Sequence, residues 1–297
     1  MKLRDNVSEK VKSSIFISGS ARSGTTIIGK IIHSMSNVEY VFEPPTLVPL
    51  FAQINTLDQS SWKLLFESYL YEDFYVNALA GRNLNFNRND DSCIYNVKTD
   101  KEIHSRLDAG IRKHDIKRIE EKGVIAFKLP NMVPFLATFN ELYPDIKKII
   151  LVRNPVDTIN SLMKKDWYNE KVLKEENRTW PVVEYKGQNI PFWVSERDYD
   201  HWLGLDELNR CAYCFISMST FSKSENTLTI NYDELINNPE KEVLKLSKYL
   251  RLEFGPLTKE LVGSIKKSKI ERDNSVLDNL LPEFQTQLKN FEDSIQH

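Results

Sequence analysis

Apolar positions along the chain follow two rhythms, short continuous runs and a three-to-four-residue spacing, and the alternation of the two predicts its elements. Residues 15–17 are β-branched and aromatic, a Gly-bounded polar stretch runs from Ser18 to Thr26, and Ile27, Ile28, Ile31, Ile32 and Met35 then mark one helix face. A second strand is predicted over 38–42, stopped by Glu43-Pro44-Pro45, and an amphipathic helix over 57–81. Residues 82–98 are polar, Asn-rich and loop-like. A third strand over 124–130 precedes a helix over 132–142, a fourth over 149–152 precedes a helix starting near Pro155, and a fifth over 227–232 precedes a helix over 239–250. Strands alternating with helices imply an α/β fold, a doubly wound and mostly parallel sheet with ligands at the carboxyl ends of the strands.

No repeat or linker divides residues 1–297, which are expected to form a single domain. Residues 166–204 break the alternation and are expected to be a helical insertion. They carry Trp167, Trp180, Trp193 and Trp202, with Tyr168, Tyr185, Phe192 and Tyr199. Flat rings beside a ligand site suit an acceptor lid, and they equally suit a small satellite core that holds the insertion together.

Composition narrows the class. Hydrophobic residues make up 41% and charged residues 28%, values of a globular protein in water. A formal charge of −2 gives no electrostatic reason to bind nucleic acid or an anionic membrane. The N-terminal residues lack the apolar core of a signal peptide, and no run of about 18 apolar residues could span a bilayer. A cytoplasmic protein is expected. Cys93, Cys211 and Cys214 make no disulfide framework. The pair Cys211 and Cys214 falls on an apparent helix without a second pair or a neighbouring histidine, which favours buried thiols over a metal or redox site.

The chemistry concentrates in Gly19-Ser20-Ala21-Arg22-Ser23-Gly24-Thr25-Thr26. A strand, a Gly-flanked loop and a helix N-terminus form a P-loop-like nucleotide site, with backbone N–H groups free to cradle an anion. Thr26 stands where a metal-binding hydroxyl would be, but Thr25 stands where a nucleoside triphosphatase carries its lysine, and the positive charge sits within the loop at Arg22. A phosphate cradle without that lysine, and without a Mg²⁺-binding Asp at a strand end, argues against a nucleotide or metabolite kinase with a degenerate P-loop. The loop resembles the 5′-phosphosulfate loop of sulfotransferases that use 3′-phosphoadenosine-5′-phosphosulfate (PAPS). A second block, residues 148–162, resembles the same family: a buried strand, Arg153, and Ser161 eight residues on. There the resemblance implies a hold on the donor's 3′-phosphate. The geometry is sound, because arginine at a strand end offers a planar fork to phosphate oxygens and Ser161 lies two helical turns away on about the same side.

The resemblance carries further roles. Glu43 ends the second strand beside the loop and matches the catalytic Glu of carbohydrate and tyrosylprotein sulfotransferases, the base on the acceptor hydroxyl. Lys128 ends the third strand and matches a lysine of the tyrosylprotein enzymes; with Arg22 it is expected to stabilise the leaving group. Donor contacts are expected from Arg22, Ser23, Gly24, Thr25, Thr26, Arg153, Ser161 and Tyr232. They are also expected from Ser268 and Lys269, in a segment resembling one that closes over the donor, where Arg272 offers further charge. His33, His104 and His201 are alternative bases, on no recognised motif. The chain departs from the Golgi tyrosine enzymes in lacking their membrane anchor and disulfide cysteines, and residues 82–122 and 166–226 match nothing. The resemblance therefore implies a metal-free sulfotransferase with PAPS as co-substrate and carries over no acceptor. The expected acceptor is a hydroxyl of a carbohydrate or small metabolite, with peptide tyrosine as the alternative, which the formal charge of −2 does not favour.

Overall fold

Five runs of the chain form the central sheet: β1 (Ile15–Gly19), β2 (Val38–Phe42), β3 (Val124–Lys128), β4 (Lys147–Val152) and β5 (Thr227–Asn231). The computed structural model describes residues 3–108, 121–174, 181–265, 272 and 274–296. The strands are all parallel, in the order β2-β3-β1-β4-β5, so β1 is central and the chain crosses over between non-adjacent strands. The inner strands β1, β3 and β4 are buried on both faces, which is why they read as continuous apolar runs, whereas the edge strands β2 and β5 are partly exposed and carry polar residues.

Successive side chains nevertheless separate to opposite faces. Ile15, Ile17, Ala126, Ile149 and Leu151 pack on one side against Ile28, Ile31 and Ile32 of α1 (Thr25–Ser34). Phe16, Phe127 and Ile150 pack on the other, against Phe51 and the helices α2 (Gln59–Ser68) and α3 (Leu136–Leu142). That second core is aromatic: Phe16 stacks on Phe127 at 4.9 Å and on Phe51 at 5.4 Å between ring centroids. Beyond β4 come α4 (Pro155–Met163) and α5 (Glu207–Ser219), and after β5 the helix α6 (Pro239–Leu250) contributes Val243 and Leu246 to the first core.

The structure departs from the sequence reading in detail. The helix expected over 57–81 begins as α2 and continues as a π-helical stretch, Tyr69–Val76, which turns Leu70, Tyr71, Phe74 and Tyr75 inward. Residues 133–135 form a 3₁₀ turn before α3, where Pro134 removes a backbone donor. The insertion is less helical than expected. Within 166–204, Val182–Tyr185 pairs antiparallel with Gln188–Pro191 in a hairpin closed by Lys186 and Gly187, both at positive φ, flanked by the short helices Glu170–Lys174 and Tyr199–Gly204. Tyr185 and Val183 lie in a strand whose alternation is only four residues long, too short to register as a period.

Lys148 on β4 is fully buried, its ammonium donating to the Tyr143 carbonyl at 2.7 Å and the Pro144 carbonyl at 3.3 Å. Burial pushes its pKa from 10.5 down to about 8. Below that value the ammonium is charged in both states and its burial opposes folding. Between about 8 and 10.5 the folded chain has released a proton that the unfolded chain still holds, so this group's contribution to stability grows as pH rises. Urea unfolding of wild type and Lys148→Met should therefore show wild type gaining on the variant between pH 7.5 and 10; a constant difference would refute the linkage.

Candidate active site

Each of the five parallel strands delivers a candidate residue to its carboxyl edge. The loop after β1 is built by local constraint. Gly19 has φ of 139°, and a Cβ there would collide with the Leu151 carbonyl oxygen of β4. Gly24, at φ 93°, leaves no room for a Cβ against the Tyr232 ring. Between them Arg22 adopts a left-handed φ of 72°. Ser23 turns inward, its hydroxyl donating to the Ser20 carbonyl at 2.6 Å, so it holds the loop's shape rather than facing a cavity. Asn131, also at positive φ, accepts the Ala21 N–H on Oδ1 and donates its own N–H to the Gly19 carbonyl, both at 2.9 Å. Gly24 caps α1 without any side-chain acceptor, so the first-turn N–H groups remain available to an anion.

Glu43 follows β2 directly. Its φ is 44° and its N–H donates to the Lys128 carbonyl at 3.0 Å, which bends the carboxylate in over the end of β3. The Glu43 carboxylate pairs with Lys128 Nζ at 2.5 Å. Lys128 is only 1% exposed; it is no surface lysine, donates to Thr26 Oγ1 at 3.2 Å, and lies 3.9 Å from the Phe42 ring centroid. Burial lowers its pKa, and the Glu43 carboxylate opposes that shift.

At the other end of the sheet Arg153 follows β4 and Tyr232 follows β5. The guanidinium lies 4.9 Å from the Tyr232 ring centroid and donates one N–H to the Arg22 carbonyl at 3.0 Å. Its Nε is buried with no hydrogen-bond partner among the described residues. Arg22 Nε in turn donates to Ser161 Oγ on α4 at 3.2 Å. Arg153, Arg22 and Ser161 thus meet at one point, although Ser161 is engaged by Arg22 rather than by Arg153.

Two cavities open here. One, of about 250 Å³, is bounded by Arg22, Gly24, Thr25, Thr26, Arg153 and Tyr232. The other, of about 470 Å³, shares Arg22, Thr25 and Thr26 with the first, takes in Glu43, and extends beneath the insertion. The insertion lines the cavity and also joins the main core rather than forming a satellite of its own: Tyr168, Ile190, Trp193 and Trp202 belong to the same apolar cluster as Phe16 and Phe51. Trp167 is exposed and lines the larger cavity, whereas Trp202 is wholly buried, with Tyr168 and Trp193 between the two extremes. Trp180 lies outside the described residues.

The remaining candidates sort clearly. Ser268 and Lys269 lie outside the described residues. Arg272 pairs with Asp157 at 3.2 Å and Asp233 at 2.8 Å, so its charge is already matched by two carboxylates. His33 is buried against Tyr40, His104 is exposed with Nδ1 at 2.7 Å from the Asp100 carbonyl, and His201 sits 3.3 Å from Glu283; none lines either cavity. Cys211 and Cys214 are buried and not paired with each other. No cluster of three metal-ligating side chains exists among the described residues.

Two residues escaped the sequence reading. Lys30 lines the smaller cavity one helical turn after Thr26 and pairs with Asp91 at 2.7 Å; the i, i+4 spacing from the loop was the available signal. Asn131 carried no signal, because its role depends on a left-handed backbone after Pro130.

Among solved structures the chain is similar to the sulfotransferase domain of the Synechococcus PCC 7002 olefin synthase, with 14% identity, 96% of this chain and 94% of that one covered, and a TM-score of 0.48. It is similar too to the sulfotransferase domain from the curacin biosynthetic pathway (17%, 96% and 97%, 0.45). A third is mouse sulfotransferase SULT7A1 complexed with PAP (13%, 94% and 83%, 0.37). No curated protein matches the chain. The model of the sulfotransferase family matches residues 14–256, most of the chain and every strand of the central sheet. The chain belongs to the sulfotransferase family.

Proposed function

We propose that this sulfotransferase draws its sulfuryl group from PAPS and places it on a hydroxyl of a carbohydrate or small metabolite. The observation that carries the reading is the junction of two cavities at Arg22, Thr25 and Thr26, with Arg153 lining the smaller and Glu43 the larger. The residues suit the donor. A buried guanidinium Nε without a partner is costly unless an acceptor meets it, and a 3′-phosphate supplies one. The loop amides and Gly24, where no side chain could fit, suit the 5′-phosphosulfate.

PAPS supplies an activated sulfuryl group whose bridging S–O bond breaks as the acceptor oxygen bonds to sulfur. Glu43 takes the proton of the attacking hydroxyl. Lys128, tied to both Glu43 and Thr26, and Arg22 meet the charge that grows on the leaving phosphate. Both cations are fixed before reaction, which is where electrostatic stabilisation is largest. Three buried free thiols, Cys93, Cys211 and Cys214, accord with a cytoplasmic setting.

The test is thermal unfolding with adenosine 3′,5′-bisphosphate, AMP and ATP–Mg²⁺. A ligand at 100 times its Kd stabilises by about 2.7 kcal/mol, a shift of several degrees. The bisphosphate should raise Tm and AMP should do so far less at equal concentration. Equal shifts would remove the 3′-phosphate assignment, and a larger shift with ATP–Mg²⁺ would favour a kinase-like donor.

A further inference from the structure

The larger cavity has an unequal distribution of polar groups. Among the described residues its charged and hydroxyl-bearing walls lie at one end, on the loop and strand edges: Arg22, Thr25, Thr26 and Glu43. Asn131 is there as well, but its Oδ1 is already occupied by the Ala21 N–H at 2.9 Å. The opposite wall, contributed by the insertion, is apolar: Trp167, Val172, Val182, Pro191, Phe192 and Trp193. Tyr168 adds a ring without a free hydroxyl, since its Oη lies 3.3 Å from Cys214 Sγ inside the core.

These walls are held from behind. Trp193 stands edge-on to Tyr168 at 5.9 Å and 81° and to Trp202 at 5.3 Å and 88°, while Phe192 stacks on Phe135 at 6.0 Å and 4°. A rigid apolar wall binds without the cost of ordering its side chains.

We infer that the acceptor is a small, largely apolar compound whose single reactive hydroxyl points at Glu43, a phenol or hydrophobic alcohol, and not a sugar or an acidic peptide; this rests on the donor reading above. A sugar ring stacks well on Trp167, but each of its hydroxyls must both donate and accept, and the insertion's described lining side chains offer only the indole N–H donors of Trp167 and Trp193 and no free acceptor. A hydrophobic pocket discriminates against one added hydroxyl by about 10²-fold at most, and several unpaired hydroxyls compound the effect. An acidic peptide needs cations around the mouth, and Arg22 is the one cationic side chain on the described wall, at the donor junction. The volume, about 470 Å³, falls in the range of pockets for drug-sized molecules.

The experiment gives the full chain labelled PAPS with 2-naphthol, methyl α-glucoside or an acidic tyrosyl peptide, and follows tryptophan fluorescence on adding 2-naphthol to the complex with adenosine 3′,5′-bisphosphate. Expected are kcat/KM for 2-naphthol at least about 10²-fold above the glucoside and the peptide, and quenching of tryptophan emission. Val182→Asp, at a half-exposed edge of the hairpin, should raise KM for 2-naphthol about tenfold or more while leaving the Tm shift given by the bisphosphate unchanged. Preference for the glucoside or the peptide, with bisphosphate binding intact, overturns the inference and spares the donor reading. Bisphosphate binding without 2-naphthol turnover or quenching does the same. Failure of the bisphosphate to bind overturns both.

Discussion

Glu43→Gln is expected to slow turnover by about 10²–10⁴-fold, the usual cost of removing a general base. The substitution preserves size and much of the hydrogen bonding, so donor affinity should stay nearly unchanged: Glu43 lines the larger cavity and is absent from the smaller one, the proposed donor site. A second effect follows from its partner. The carboxylate is what holds the proton on the buried Lys128 against desolvation, so in the Gln variant Lys128 should lose its charge at a lower pH than in wild type. Residual activity should accordingly fall off earlier on the alkaline side. Steady-state rates across pH, bisphosphate binding by calorimetry and urea unfolding together make the test. A variant within about threefold of wild type would move the base away from Glu43, the one carboxylate among the described residues that line the cavity.

Arg153→Ala should weaken binding of adenosine 3′,5′-bisphosphate by roughly 2–4 kcal/mol, the cost of losing a charged forked contact to phosphate. Arg153 also braces the loop through the Arg22 carbonyl at 3.0 Å, so a general loosening must be told apart from a lost phosphate contact. AMP makes the distinction. A loosened loop weakens both nucleotides alike, whereas loss of the 3′-phosphate contact weakens only the bisphosphate. Arg153→Lys should fall between, keeping charge but not the planar fork. Equal losses for AMP and the bisphosphate in calorimetry would assign Arg153 to the loop alone.

The parallel sheet was legible because its three inner strands, β1, β3 and β4, are buried on both faces, and burial writes itself as a run of Ile, Val, Leu and Phe; the edge strands β2 and β5 are only partly buried and read through their alternation with helices. Residues that follow the strands, Glu43, Arg153 and Tyr232, were legible because once a strand end is located, the carboxyl edge is located. What the sequence concealed depends on backbone conformation or on contacts distant in the chain. Glu43 reaches Lys128 through a left-handed φ that no propensity assigns to glutamate, and Asn131 props the loop from 110 residues away. The hairpin within the insertion was hidden because strands of four residues, one of them Gln188–Pro191, carry too little periodicity to separate them from loop.

The separation of duties between sheet and insertion has an evolutionary consequence. The residues proposed to hold the nucleotide cluster at strand ends, where a one-residue slip would turn each to the wrong face. The proposed acceptor wall hangs on a detour between α4 and α5 whose buried rings pack on one another and join the aromatic core behind the sheet. On that proposal, substitutions confined to the side chains that face the larger cavity would retune what is sulfated without disturbing how sulfate is delivered, rewriting one wall of one room.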